Sequence, residues 1–186
     1  MLRDFAQNSL VKGVRLTFHR PIDRNWMVDG TNDWYWPLAE ELGLPTMVHA
    51  PTRKAELGQI AARHPGLSII IDHMGILAQC VGDAIDFWVQ ETADLHVHPN
   101  ISVKVSYVPG HSTQPLPNLN IAGYVRGLVD KMGAERCFWG TDLSRLVNHG
   151  LTYTLAIELE WIMGRGISER LNWRPPDPSD GPSLAR

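Results

Sequence analysis

LSIIIDHMG, Leu67 to Gly75, ends a run of β-branched apolar residues in an acid and an imidazole, directly before a glycine. A continuous apolar run of this length reads as a strand buried on both faces, the pattern of a parallel sheet covered by helices. Titratable groups at the carboxyl end of such a strand need a chemical reason.

Four further runs repeat the pattern: GVRLTF from Gly13, TMVHA from Thr46, ISVKVS from Ile101 and CFWGTD from Cys137. Between them lie DWYWPLAEELGLP, TRKAELGQIAARHPG, QCVGDAIDFWVQETADLHVHPN and IAGYVRGLVDKMG. Several of these carry apolar residues at helical spacing, with Gly43, Pro65 and Gly133 just past their ends. Strands that begin roughly 20 to 35 residues apart with helices between them suit parallel βαβ units, in a doubly wound sheet or a (β/α) barrel. No internal repeat is visible. The tail RPPDPSDGPSLAR from Arg174 is rich in proline and polar residues and is expected to be flexible. One domain over residues 1–173 followed by that tail is the expected organisation.

The chain has 186 residues, of which 44% are hydrophobic and 20% charged, enough for one domain with a sizeable core. A net charge of −3 gives no electrostatic footprint for nucleic acid, and no Lys/Arg block suggests a membrane surface. Cys80 and Cys137 fit no metal or redox spacing, which is the pattern of a reduced compartment. The opening MLRDFAQNSLVKG lacks the apolar core of a signal peptide, and no run is long enough to cross a bilayer. A cytoplasmic protein is expected.

The strand ends compare closely. His49 closes TMVHA, His73 closes SIIIDH and Asp142 closes CFWGTD. In a parallel sheet these three share one rim, where the active sites of (β/α) barrels form. Imidazole and carboxylate are zinc-type ligands, and three of them with an open position leave a water to be activated; any one alone is as readily a hydrogen-bonded structural residue. Alternation along the strands adds a second feature. In ISVKVS it turns Ser102, Lys104 and Ser106 inward, and in GVRLTFH it turns Arg15, Thr17 and His19 inward. Interior cations are costly unless they meet an anion. Arg15 and Lys104 pair with internal acids such as Asp142, or lie on an edge strand with a wet face, or hold a substrate carboxylate or developing oxyanion.

LAEELGLPTMVHAP, IAARHPGLSIIIDHMG, NISVKVS and ERCFWGTDLSR, in this order, resemble the later half of the amidohydrolase-related family, the metal-dependent hydrolase branch with its lactonases and decarboxylases. The resemblance runs from about Gly13 to Asn172 and includes WIMGRGISERLNW, which is similar to the family's final helix. It implies an α/β fold, a partial (β/α)8 TIM barrel made of about the last five βα units. It places His49 and His73 at the family's fifth- and sixth-strand histidines and Asp142 at the eighth-strand aspartate, general base or ligand. The implied reaction is activated-water attack on a small carboxylated cyclic substrate of lactone type, with His49, His73 and Asp142 as metal ligands and Arg15, Lys104 and Arg145 towards the substrate. Arg145 is equally a solvated loop arginine.

The departures qualify these expectations. The family's first-strand H-x-H has no counterpart before Gly13, and the one H-x-H here, His96-Val97-His98, falls on the opposite rim as a surface feature. Complete barrels begin at roughly 200 residues and need eight strands, of which five are found. A chain without the first metal pair is expected to hold zinc or manganese weakly, or not at all, and to need a complementing amino-terminal half-barrel or another copy. Decarboxylation and a non-catalytic partner subunit remain the alternatives. Trp26, Trp34 and Trp36 either wall a pocket or pack helix on barrel. Asp72 is expected to point away from His73 and to order a neighbouring backbone.

Overall fold

The computed structural model describes residues 2–114, 119–147 and 150. Among them, five strands form one open sheet: β1 (Val14–Thr17), β2 (Thr46–His49), β3 (Ile69–Ile71), β4 (Ile101–Val105) and β5 (Cys137–Trp139). Each strand pairs in parallel with the next, in the order β1-β2-β3-β4-β5. A doubly wound sheet reverses its strand order at a switch point. This sheet never reverses, so its topology is that of a (β/α) barrel, covering the five βα units the sequence predicts.

The register puts Phe18, Val48, Ile69, Ile71, Ile101, Val103, Val105 and Cys137 on one buried face. Helices cover that face because their apolar residues recur at helical spacing. In α5 (Leu119–Met132), Ile121, Val125, Leu128, Val129 and Met132 are buried; in α3 (Lys54–Arg63), Leu57, Ile60 and Ala61; and in α4 (Ile85–Ala93), Ile85, Val89 and Ala93. Each fully buried aliphatic side chain contributes roughly 1.5–3 kcal/mol. Trp36, on α2 (Tyr35–Glu41), is 1% exposed and packs on Phe18, so of the two readings of this tryptophan packing is the one observed. The other face of the sheet, the barrel-interior face, carries Arg15, Thr17, Met47, Ile70, Ser102, Lys104 and Phe138, and none of these is fully buried. Two short helices, α1 (Leu2–Ala6) and α6 (Leu143–Leu146), flank the sheet in sequence.

Two strands are shorter than the sequence suggests. SIIIDH yields a strand only to Ile71, after which Asp72–Gly75 form a tight 3-10 turn. CFWGTD is strand only to Trp139, and Asp142 already has left-handed backbone. The final-helix stretch WIMGRGISERLNW and the tail from Arg174 lie outside the described residues. Among the described residues no helix is long and apolar enough to cross a membrane.

β1 and β2 meet where Val14 N–H donates to Pro45 O at 2.9 Å, and a Cβ added to Gly13 would stand 2.7 Å from that same oxygen. Backbone cannot yield as a flexible side chain can. Gly13→Ala is expected to lower stability by about 1–2 kcal/mol, measured by denaturant unfolding; an unchanged midpoint would mean the strands part there without cost.

Candidate active site

The inner face is organised by Asp72. Ile70 lies opposite Met47 and Ser102 in the ladder, so Asp72, two residues on, continues the inward row. Its carboxylate is fully buried and takes Arg15 on one oxygen, from Nε at 2.8 Å and from Nη2 at 2.6 Å. Lys104 Nζ stands 3.3 Å from the other oxygen. That contact is an ion pair without hydrogen-bond geometry, so Oδ1 remains an open acceptor. Burial pushes the Asp72 carboxyl up, but His73, Arg15 and Lys104 outweigh it and hold the group below its ordinary value. The inward cations thus meet an internal acid, and that acid is Asp72 rather than Asp142. The expectation that Asp72 points away from His73 is corrected: His73 Nε2 is 3.2 Å from Asp72 Oδ2.

His73 enters the site by backbone strain. After Ile71, alternation alone would turn it outward, but His73 (φ 51°) and Met74 (φ 54°) are both left-handed and bring the imidazole back. Among the described residues, the non-glycine positions with positive φ are His73, Met74, Tyr107 and Asp142, all just beyond carboxyl strand ends. Such residues cost on the order of 1–3 kcal/mol each and cluster at functional sites. His73 Nδ1 is 2.8 Å from Ser106 Oγ, and Nε2 faces Asp72 Oδ2 and, at 3.8 Å, Asp142 Oδ2. Acceptors around Nε2 place the proton there, so Nδ1 accepts from the Ser106 hydroxyl. Burial lowers the His73 pKa against the upward pull of Asp72 and Asp142. Among the described residues, Asp142 Oδ2 is buried with no hydrogen-bond partner.

His49 lies beside this pair, with its ring 5.5 Å from that of His73 and 5.0 Å from that of His19. Burial, together with His73 and His19, pushes its pKa down to about 4 against the upward pull of Asp72. Its Nδ1 has no partner. His49, His73 and Asp142 therefore share one rim, as the sequence predicts, but they do not form a ligand set: both His73 nitrogens are engaged by Ser106 and Asp72. Among the described residues no group of three His, Cys, Asp or Glu is arranged to hold a metal ion. The expected zinc or manganese site does not fit the residues as they stand, and no step is derived through an ion.

Arg145 is exposed, with its guanidinium 5.0 Å over the ring of Tyr107. Tyr107, absent from the sequence reading, stands 6.4 Å from the His73 ring. Its signal was its place directly after Ser106 at the end of β4. Trp26 and Trp34 line a cavity of about 1280 Å³ along the free edge of β1, which reaches the inner face only through Arg15 and Thr17. That cavity meets the imidazole–carboxylate cluster through Arg15, which bonds Asp72, but His49, His73 and Asp142 do not line it. His96 and His98 precede β4, on the opposite rim, and His96 Nδ1 is bonded to Ala93 O.

The His49 shift has a signed consequence. With a folded pKa of about 4 against an ordinary 6.5, the unfolded chain binds more protons between those values, so stability falls as pH drops through that window. A shift of this size is worth on the order of 3 kcal/mol. Denaturant unfolding at pH 7 and pH 4 should give a difference that His49→Gln reduces by about that amount; an unchanged pH slope would contradict burial of a neutral ring.

The family model described as Amidohydrolase matches residues 2–179. L-fucono-1,5-lactonase of Burkholderia ambifaria is 30% identical over 155 residues, covering 80% of this chain and 52% of the lactonase. A zinc-bound amidohydrolase of Burkholderia multivorans superposes with a TM-score of 0.74 at 16% identity, over 89% of this chain and 61% of that one. A Pseudomonas putida protein classed provisionally as a 2-pyrone-4,6-dicarboxylic acid hydrolase gives 0.60 at 24%, over 88% and 59%. The chain thus spans about half the length of the curated relative it matches. With the family model covering nearly its whole length and the parallel sheet carrying imidazoles and a carboxylate on one rim, the chain belongs to the amidohydrolase family.

Proposed function

We propose that this chain carries the acid–base apparatus of a lactone hydrolase acting on a small carboxylated lactone. The observation that carries the reading is Asp142 Oδ2, buried, without a hydrogen-bond partner, and 3.8 Å from His73 Nε2. A carboxylate so placed accepts the proton of a water attacking the lactone carbonyl. The carbonyl oxygen becomes an oxyanion facing the Lys104 ammonium, while the His73 Nε2–H stays with Asp72. When the ring C–O bond breaks, the leaving alkoxide takes back the proton held by Asp142, and a hydroxy acid is released. Arg15 and Lys104 balance the charges of Asp72 and ionised Asp142, so Arg145 at the rim is the further cation towards a substrate carboxylate. The fuconolactonase relative supports the lactone class.

The open inner face favours a second reading, in which the chain is inactive until another copy or a complementing half-barrel covers it. The groups of the cluster are buried, but Arg15 keeps a side-chain exposure of 50% and Phe138 is 48% exposed, so among the described residues part of the inner face beside the cluster stays open to water.

Assay of the 186-residue chain against paired lactones with and without a carboxylate separates the readings. The proposal expects turnover with a preference for the carboxylated member, lost in Lys104→Met. It also expects at least a ~100-fold fall in kcat for Asp142→Asn. Activity indifferent to Asp142→Asn would overturn the assignment of the base, and turnover that appears only on self-association would establish the second reading.

A further inference from the structure

Lys54 is a charged residue only 5% exposed, and nothing in the reaction above uses it. It is the first residue of α3, and its ammonium donates to Trp88 O of α4 at 2.6 Å. Glu91 Oε2 is 3.5 Å away, and the Trp88 ring lies 4.9 Å below. The aliphatic stem runs under the left-handed turn that presents His73: a Cβ on Gly75 (φ +63°) would meet both Lys54 Cε and Thr92 Oγ1 at 2.8 Å. Thr92, fully buried, has one hydroxyl proton and two carbonyls within reach, Met74 O at 2.8 Å and Trp88 O at 3.0 Å. A helical threonine ordinarily returns that proton to the carbonyl four residues back, which here is Trp88 O.

We propose that Lys54 is a positioning residue for His73: by occupying Trp88 O it commits the Thr92 hydroxyl to Met74 O, which pins the left-handed turn and aims the imidazole at Asp142. The turn needs such an anchor because His73 and Met74 have side chains that disfavour positive φ. Within the turn, Ile76 N–H donates to His73 O at 3.0 Å, so its protection reports whether the turn is closed. Without Lys54, the Thr92 proton returns to its own helix and Met74 O is left without this donor. Burial lowers the Lys54 pKa from 10.5 to about 8, against the upward pull of Glu91 and Cys80, the ionisable groups facing it from α4 and the loop before it. An ammonium retained at that cost is consistent with a bracing role.

The inference rests on His73 being a site residue, as the proposed function has it, but its test needs no turnover. Lys54→Met keeps the stem and loses the donor, and Thr92→Val keeps the shape and loses the hydroxyl. Nitrogen-15 NMR of the imidazoles is expected to show His73 moved in both variants, and no further in the double variant. Exchange of the Ile76 amide should speed by about tenfold, the loss of one hydrogen bond. Unfolding measurements give an independent readout. The unfolded chain binds the extra proton between pH 8 and 10.5, so Lys54 makes wild-type stability rise across that interval, and the rise is expected to vanish in Lys54→Met. His73 signals and Ile76 exchange unchanged in folded variants would overturn the proposal; if Lys54→Met does not fold, Thr92→Val decides by the same two readouts. A responsive His73 in a chain that hydrolyses no lactone would sink the proposed function and leave the brace standing.

Discussion

One carboxylate holds the inner face together. Asp72 sits fully buried between a guanidinium from β1, an ammonium from β4 and an imidazole at its own strand end. Two inward cations, one on β1 and one on β4, converging on one point would repel each other and resist desolvation. With Asp72 between them they become ties across β1, β3 and β4. The same acid faces the Nε2 of His73, so the charge that makes the interior cations tolerable also sets the protonation pattern of the site. Asp142 is left with a buried oxygen that no hydrogen bond satisfies among the described residues, and that difference between two acids a few ångströms from one imidazole separates a structural role from a chemical one.

The second constraint is backbone strain concentrated at strand ends. Parallel strands deliver side chains by alternation, which fixes which residues face inward but not how they are aimed. The left-handed residues beyond β3, β4 and β5 break the alternation where the cluster forms, and the packing beneath them supplies what holds that strain. The Tyr107 ring lies against Gly110, where a Cβ would come within 2.2 Å of it, and the turn at His73 lies on Lys54 and Thr92.

Much of this arrangement was legible from period and order. Alternation turned Arg15 and Lys104 inward, and the strand spacing predicted five parallel βα units; the register agrees with both. Asp72 was misread because SIIIDH was taken as strand to its last residue with His73 as the inward group. The parity of Ile70 and Asp72 already assigned the acid to the inner face, and the imidazole arrives there only through a turn that no glycine or asparagine at 73 or 74 announces. The metal set is legible only as a rim: ligand types at three strand ends do not specify free nitrogens, and here those of His73 face Ser106 and Asp72.

The central claim is that Asp72 and the inward cations form one coupled unit, and a double-mutant cycle on Asp72→Asn and Arg15→Met, read by denaturant unfolding at pH 7, tests it most directly. Asp72→Asn alone should cost about 3 kcal/mol, because it leaves Lys104 and Arg15 unpaired. In the double variant the loss should fall short of the sum of the two single losses by roughly 1 kcal/mol or more. Single-variant losses that add to within about 0.5 kcal/mol would contradict the account, since residues that merely sit near one another show no such coupling.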